Sequence, residues 1–432
     1  MPLTSGDPDA PASFGDIVNA LRLGIFVGPL QIHAGLGLGW EYSDRNYNNQ
    51  ATNSSDRSSY FVAPSIGLVY DREVGPWSVF LSYGGGLRYY LNPNYDAAGS
   101  GNQRNPFSQT VSLSVAHLGA RHRLMILGSG SYGTGFSVNN DTNVTQTAIN
   151  AGLEYEYMLT SYTNIGARAA VSSSLYDYQQ NEGTNSTMNS LAAGTYFDWL
   201  YSGKTRLRFS LDAGQSSQNL QGSQAVDMNY VQFMAATTYA ASEKLKLEMG
   251  LGAGYVTNSR VNSKYTGFRP VYQLAASYAP TEKTSIRASI GFQGTDVQPD
   301  FSLAAAWQPR VNTGLSLSVY QNQGYSLSVS EQVQVSRGFV ASINQTLFSK
   351  LQLVLSAGWQ QTENVSLVYT GEAAAQNNQT FGYGFGSATL TWNLRDWASW
   401  QLSTWYATGS QYQYQNQNAP ETRATVSFNL TF

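Results

Sequence analysis

The chain has 432 residues, of which only 12% are charged and 13% are aromatic, and its formal net charge is −3. A water-facing surface normally carries charge on roughly a quarter of all residues, so an ordinary soluble domain is disfavoured, and the aromatic content excludes low-complexity disorder. The chain has no cysteine, which excludes disulfides and thiolate metal sites. The lack of a basic excess argues against a nucleic-acid partner.

Residues 1–28 precede the first regular pattern and are polar and proline-rich at their start. They contain neither the cationic nor the apolar region of a signal peptide, so we expect the chain to begin near the mature N-terminus of an exported protein. Residues 14–21 have the composition of a short amphipathic helix. We expect residues 1–28 to form a periplasmic segment or a plug, or a linker to a partner, next to one large domain over residues 29–432.

From Leu30 onward, apolar and polar residues alternate with a period of two. Ile32, Leu36 and Trp40 share one face of the first run, and the same alternation returns at 206–213, 245–253 and 286–293. Helical spacing does not describe these runs. A membrane-spanning helix would need about 18 consecutive apolar residues, and the sequence contains no such run. The pattern therefore predicts β-strands with one apolar and one polar face.

The runs are separated by two alternating kinds of break. The first kind is short and carries turn residues or charges, at 71–76, 120–123, 159–163, 202–204, 242–244, 280–283, 309–312, 349–350 and 395–398. The second kind is often longer and rich in Asn, Gln, Ser and Gly, at 43–58, 92–105, 139–143, 179–185, 219–224, 258–263, 321–332, 371–378 and 411–419. Short turns at one rim and long polar loops at the other are typical of outer-membrane barrels.

Counting the runs predicts an all-β, transmembrane, antiparallel up-and-down β-barrel of about 20 strands, within a range of 18–22, in the bacterial outer membrane. Residues 313–348 are interpreted as two strands joined by one long loop, with four short strands as the alternative. Aromatic residues cluster near strand ends, which predicts interface girdles, at 89–90, 155–157, 197–201 and 397–405.

The C-terminus alternates to its last residue, through Ala424, Val426, Phe428, Leu430 and Phe432. Outer-membrane barrels commonly end in such a strand, which the barrel-assembly machinery recognises. We therefore expect Phe428, Leu430 and Phe432 to form the assembly signal. The other expected partners are outer-membrane lipid and lipopolysaccharide, with a second copy of the chain and a polysaccharide as further candidates.

Three segments between residues 21 and 123 carry a resemblance to a known family. They are GPLQIHAGLGLGWEYSD at 28–44, SIGLVY at 65–70 and SYGGGLRYY at 82–90. These segments resemble the outer-membrane barrels known as the β-barrel porin 2 family, which are often linked with exopolysaccharide loci. The resemblance implies an outer-membrane barrel and carries over no catalytic residue.

Charged side chains within the strands are the candidate functional residues. Each would cost about 2–4 kcal/mol at the lipid-facing midplane, so alternation places them inward; they are Arg88, Glu154, Glu156, Arg168, Arg206, Arg208, Asp212, Lys246, Glu248 and Arg287. One interpretation is an electrostatic lining that selects solutes. The other is a set of cross-strand ion pairs that stiffen the wall, such as Arg208 with a carboxylate on the next strand. Both can hold together.

Other site chemistries find less support. Inward Tyr, Asn, Gln and Ser could bind sugars or simply line a solvated lumen. His33, His117 and His122 lack metal-ligand spacing, so we expect no metal and no cofactor. No Ser–His signature is present, so we expect no enzyme, with a membrane-embedded hydrolase as the remote alternative.

About 20 strands enclose a lumen wider than side chains alone can fill. The sequence therefore favours a porin-like channel for passive diffusion of polar solutes. The alternative is a conduit or structural anchor for an exported polysaccharide or a surface-layer component. Which solute passes, and in what oligomeric state, is left open by these patterns.

Overall fold

The computed structural model describes residues 25–43, 58–92, 106–137, 142–178, 185–220, 225–259, 266–293, 296, 298–325, 332–366, 380–408 and 421–431. The described strands are β1 (Ile25–Val27), β2 (Leu30–Ser43), β3 (Ser58–Val74), β4 (Trp77–Leu87), β5 (Tyr89–Tyr90), β6 (Phe107–Leu118), β7 (His122–Ser137), β8 (Thr142–Thr160), β9 (Thr163–Tyr178), β10 (Asn185–Ser202), β11 (Thr205–Leu220), β12 (Val226–Ala240), β13 (Leu245–Asn258), β14 (Gly267–Thr281), β15 (Thr284–Phe292), β16 (Asp300–Arg310), β17 (Thr313–Tyr325), β18 (Gln332–Leu347), β19 (Leu351–Ser366), β20 (Thr380–Arg395), β21 (Ala398–Ala407) and β22 (Glu421–Thr431).

These strands form one closed antiparallel barrel. Consecutive strands pair along the chain, and β22 closes the circle by pairing with β2, from Gly35 opposite Thr431 to Ser43 opposite Arg423. Strands β4 and β5 both pair with β3 and form a single spanning strand interrupted at Arg88. Strand β1 only makes a short hairpin with β2. Counted in this way, the wall has 20 spanning strands, which confirms the predicted fold.

The connections fall into the two predicted classes. All nine predicted short breaks contain an observed turn, and these turns share one rim, here called the short-turn rim. The opposite end is the long-loop rim. Residues 313–348 form two strands, β17 and β18, as interpreted. The loop between β15 and β16, at 293–299, was not predicted, because it lacks the Asn- and Ser-rich composition of the other loops.

The outer face of the wall is apolar. Ile165, Val171, Leu191 and Leu211 are each 47–57% exposed, which is the arrangement that a membrane barrel presents to lipid. Exposed aromatic residues ring the short-turn rim at Tyr162, Tyr201, Trp307, Trp392, Trp397 and Trp400. In the described part of the chain, no helix is long and apolar enough to cross a membrane.

Two of the predicted girdle aromatics point the other way. Tyr90 and Trp405 are only 5% and 7% exposed and lie on the inward face. In β21 the outward residues Trp400, Leu402 and Tyr406 alternate with Trp405. The sequence cluster 397–405 therefore contributes to both faces, because alternation overrides proximity to the rim.

Both ends of the barrel domain lie at the short-turn rim. Near the C-terminus, Phe428 packs on Trp400 with ring centroids 5.1 Å apart on the outer face, whereas Phe432 lies outside the described residues. The assembly signal stays a prediction. Residues 1–24 also lie outside the described residues, so the plug or periplasmic segment predicted for 1–28 stays a prediction as well.

Candidate functional site in the barrel lumen

The predicted charged residues lie on the inward face of the wall, opposite the apolar outer face, which we call the apolar belt. In β11, Phe209 and Leu211 are exposed outward and alternate with Arg206, Arg208 and Asp212. The same alternation of outward apolar and inward polar residues applies along β8, β9, β13 and β15. It places six further charges inward: Glu154, Glu156, Arg168, Lys246, Glu248 and Arg287. Most of these residues belong to one side of the barrel, β8–β15, which we call the charged arc.

The β10–β11 hairpin holds an ion-pair cluster around Asp198. This carboxylate lies directly opposite Arg208 in the ladder and is bonded by Arg208 Nε and Nη2 at 2.7 and 2.8 Å. Arg206 Nη2 also donates to it. The Asp198 side chain is only 3% exposed, whereas Arg206 and Arg208 are 45% and 38% exposed. Two half-hydrated guanidinium groups therefore compensate one buried carboxylate.

Tyr196 links this cluster to β8. Its hydroxyl lies 2.9 Å from Glu154 Oε1 and 3.0 Å from Glu156 Oε2, and one phenolic proton can serve only one of the two carboxylates at a time. The ring crosses β9 above Gly166, where an added Cβ would lie 2.1 Å from Tyr196 Cζ. The Arg208 guanidinium also packs over this ring, with Cζ 4.4 Å from its centroid.

A second bridge spans β9 to β11 in the same manner. Arg168 donates from Nε and Nη2 to Asp212 Oδ1 at 3.0 and 2.7 Å. The intervening residue is Gly194, where an added Cβ would lie 2.0 Å from that oxygen. Glycine on the inward face thus allows side chains to lie flat along the wall and reach the strand beyond their neighbour.

Arg88 belongs to a separate cluster at the long-loop rim. It donates from Nη1 to Glu41 Oε2 at 2.8 Å, and Tyr90 donates its hydroxyl to the same oxygen at 3.1 Å. The guanidinium also lies 4.6 Å from the Phe61 ring centroid. Glu41, Phe61 and Tyr90 are all buried, so this cluster fastens β2, β3 and β5 to one another.

The remaining predicted charges are not drawn together. For Lys246, Glu248 and Arg287, no ion pair forms among the described residues. Lys246 and Arg287 lie in one row, on either side of Ser277. Lys246, Glu248 and Arg287 are therefore the members of the predicted set that face the lumen without an ion pair among the described residues.

The strongest partners were missed by sequence reasoning. Asp198 sits inside the aromatic run 197–201 and was overlooked, although it shares inward parity with Tyr196, and the turn at 203–204 sets it opposite Arg208. Glu41 is 47 residues from Arg88 in the chain. Alternation alone could have flagged Asp198, but no sequence signal pairs Glu41 with Arg88.

The opposite side of the barrel, β16–β21, is lined differently, and we call it the neutral arc. Apart from Asp300, Arg310 and Arg395 at strand ends, the described inward positions of these strands carry no charge. Hydroxyls, amides and aromatic rings predominate, among them Ser302, Ser316, Ser318, Tyr320, Ser342, Asn344, Gln352, Ser356, Gln360, Tyr383, Phe385, Ser387, Gln401, Ser403 and Trp405. The charged side chains that line the lumen are therefore concentrated on one side of the barrel.

One carboxyl group in the loop between β15 and β16, that of Asp296, has a raised pKa. Burial raises the pKa of Asp296 to about 6, a shift that the backbone amide of Gln293 and the charge of Arg269 oppose and that of Asp300 reinforces. This group at the long-loop rim changes charge in mildly acidic solution.

Two of the three histidines contact each other, and the third is buried. His33 is 2% exposed. The His117 ring stacks on His122 with centroids 4.9 Å apart and packs at a tilt against Trp77 with centroids 4.4 Å apart. Among the described residues, no three His, Cys, Asp or Glu side chains are grouped as metal ligands.

No protein-family profile matches the chain, and no curated protein matches it either. Similar solved structures include the apoprotein form of the FrpB iron transporter of Neisseria meningitidis, at 9% identity and a TM-score of 0.52, covering 95% of this chain and 82% of that one. The open form of the ferric-catecholate import receptor Fiu of E. coli K12 is also similar, at 11% identity and a TM-score of 0.50, covering 92% and 81%. These likenesses show the fold. With its closed wall and apolar belt, the chain is a bacterial outer-membrane β-barrel, as predicted.

Proposed function

We propose that the chain is a channel for passive diffusion of polar solutes across the outer membrane. The observation that carries this proposal is the hydrophilic inward face, which combines charged and neutral arcs around a 20-strand wall. Barrels of 16–18 strands already leave an aqueous channel. A wall of this size with a wettable lining favours a water-filled lumen.

The way the charges are held also favours an open path. Arg208 is bonded to a partner on the next strand, and Arg168 and Tyr196 to partners two strands away. The Arg168 and Tyr196 side chains lie along the wall above Gly194 and Gly166. Side chains tied to the wall in this way leave the barrel axis free. All described residues outside the strands lie in turns and loops at the two rims.

The same proposal includes the partners and the chemistry. We propose that the chain contacts lipid and lipopolysaccharide through its apolar belt, that the assembly machinery recognises Phe428, Leu430 and Phe432, and that it is not an enzyme. The resemblance of residues 21–123 to the β-barrel porin 2 family supports a porin-like role and keeps an exported polysaccharide as the alternative cargo.

Single-channel conductance of the purified, refolded full chain in a planar bilayer tests the proposal. We expect a stable conductance step of nanosiemens scale. Folding is monitored independently by heat-modifiable gel migration. A correctly folded barrel that carries no current would contradict the passive channel and favour the structural anchor.

A further inference from the structure

A row of serines begins on β15, the last strand of the charged arc, and crosses the neutral arc. Each member lies opposite the next across the ladder, apart from Ala306 between the first two; we call the five serines the serine track, and they are Ser285, Ser316, Ser342, Ser356 and Ser387. Ser316 and Ser342 share a hydrogen bond of 2.6 Å. The row continues to Trp405, which lies opposite Ser387, and then to Arg423 of β22, whose guanidinium lies 5.9 Å from the Trp405 ring centroid.

The track rises by roughly 20 Å along the lumen wall. Ser285 is the second residue of β15 at the short-turn rim, and Trp405 lies two residues before the end of β21 at the long-loop rim. Barrel strands tilt by about 35–45°, so a row of cross-strand neighbours rises as it passes from strand to strand. With strands about 4.8 Å apart, the six steps from Ser285 to Trp405 span roughly 30 Å.

One end of the track has a cavity, and the other end has a buried hydrogen-bond donor without an acceptor among the described residues. At the short-turn end, a cavity of about 450 Å³ is lined by Ser285, Ser316, Ser342 and Asn344, with Glu282 and Lys283 at the adjoining turn. At the long-loop end, the Trp405 side chain is 7% exposed, yet its indole Nε1–H has no hydrogen-bond partner in the part of the chain that is described. A buried donor without an acceptor costs free energy, and a bound acceptor would remove that cost.

Aromatic rings lie beside Ser387, in the part of the track nearer the long-loop rim. Phe385 lies two residues from Ser387 on the same face, with its ring above Gly358, where an added Cβ would come within 2.7 Å of it. Tyr383 lies 6.1 Å from Phe385 between ring centroids and donates to Gln360 Oε1 at 3.4 Å. The row thus combines apolar ring faces with hydroxyls and amides that both donate and accept.

We propose that the serine track binds uncharged, hydroxyl-rich solutes, the chemical class of neutral oligosaccharides, and guides them along the wall. Their hydroxyls match serine and amide partners and the Trp405 indole N–H, and their C–H faces match the ring of Phe385. Between their ends, the strands of the neutral arc offer a charged solute in the lumen no counter-charge. The charges nearest the track, Arg287 and Arg423, lie on β15 and β22, the strands that border this arc. This inference rests on the proposed channel and specifies its substrate class.

The test uses the full chain in planar bilayers with maltoheptaose as the probe. We expect maltoheptaose to interrupt the ion current. The combined variant Ser316→Ala, Ser342→Ala and Ser356→Ala should weaken its binding by about tenfold, given the modest contribution of each hydrogen bond. Trp405→Phe keeps a ring but removes the N–H, and it should weaken binding severalfold.

A matched control is available on the other arc. Ser172 and Ser190 form an equivalent inward pair, 2.6 Å apart, and Ser172→Ala with Ser190→Ala should leave maltoheptaose binding unchanged. A conducting barrel without maltoheptaose block, or equal weakening in track and control variants, would overturn the track and leave the channel standing. If the folded barrel carries no current, calorimetric titration with maltoheptaose in detergent decides: track-dependent binding supports the track without the channel, and its absence overturns both.

Discussion

Gly166 illustrates how single residues shape the lumen wall. An added Cβ would lie 2.1–2.5 Å from three atoms of the Tyr196 phenol group, so Gly166→Ala must push that side chain away from Glu154 and Glu156. We expect a loss of about 1–3 kcal/mol in the free energy of unfolding, as for other overpacking substitutions. Urea titration of the barrel in lipid vesicles, followed by tryptophan fluorescence, measures it.

Gly152→Ala provides the control for that experiment. Gly152 also lies on the inward face of β8, but its added Cβ would approach only the Ala169 carbonyl oxygen, at 3.9 Å. We expect a change of a few tenths of a kcal/mol, or a small gain, since alanine restricts the unfolded chain. An equal loss in both variants would mean that the Tyr196 bridge is not the cause.

At the residue scale, the sequence predicted orientation well and partnership poorly. The inward side of Arg168 and Arg208 followed from the cost of a charge in lipid. The contact of Tyr196 with Glu154 did not follow, because it skips a strand and depends on the space above Gly166. Such contacts depend on the register between strands. The alternation within one strand gives the direction of each side chain but not its register with the neighbouring strands.

At the element scale, the β10–β11 hairpin concentrates the strongest electrostatic coupling. Replacing both Arg206 and Arg208 by Gln leaves the Asp198 carboxylate, 3% exposed, without a cationic partner. We expect a loss of about 1–3 kcal/mol in the free energy of unfolding, because an uncompensated buried charge costs more than the pair contributes. Adding Asp198→Asn to this double variant should recover part of the loss.

The reference for this hairpin is Arg287→Gln, which removes a guanidinium that has no ion pair among the described residues. That variant should unfold close to the unaltered protein, since a solvated charge contributes little. Urea unfolding in vesicles measures all four proteins. If Asp198→Asn lowers the stability of the double arginine variant further, the buried-charge explanation fails.

The strands themselves were predicted closely because two signals coincide. Period-two alternation identifies each strand, and turn residues mark every short connection. The loop at 293–299 escaped because it is short and contains no Asn or Ser, although it contains the turn residues Gly, Asp and Pro. Its omission left the alternation of short and long breaks irregular between residues 280 and 312. The missed loop could have been inferred from that irregularity alone, since two short turns cannot follow each other in an up-and-down barrel.

At the scale of the whole molecule, the division into two arcs is the main feature that sequence reasoning did not find. Neighbours along an up-and-down barrel are neighbours around its circumference, so the concentration of inward charges between residues 154 and 287 was present in the chain order. A search of the sequence for charged residues does not reveal the neutral arc, because that arc is defined by the lack of them. The function that we propose for the neutral arc depends on a row of hydroxyl groups, and this row can be recognised only when the strand register is known.

The charged arc should control ion preference if the lumen conducts. Arg287 faces the lumen from β15 without an ion pair among the residues described, so Arg287→Glu reverses a charge without releasing a bonded partner. We expect the reversal potential in a KCl gradient to shift toward cation selectivity, with Arg287→Gln intermediate. The shift should grow at low ionic strength, because the screening length is about 10 Å at 0.1 M and longer in more dilute salt. Identical reversal potentials in all three conducting proteins would show that this arc does not govern permeation.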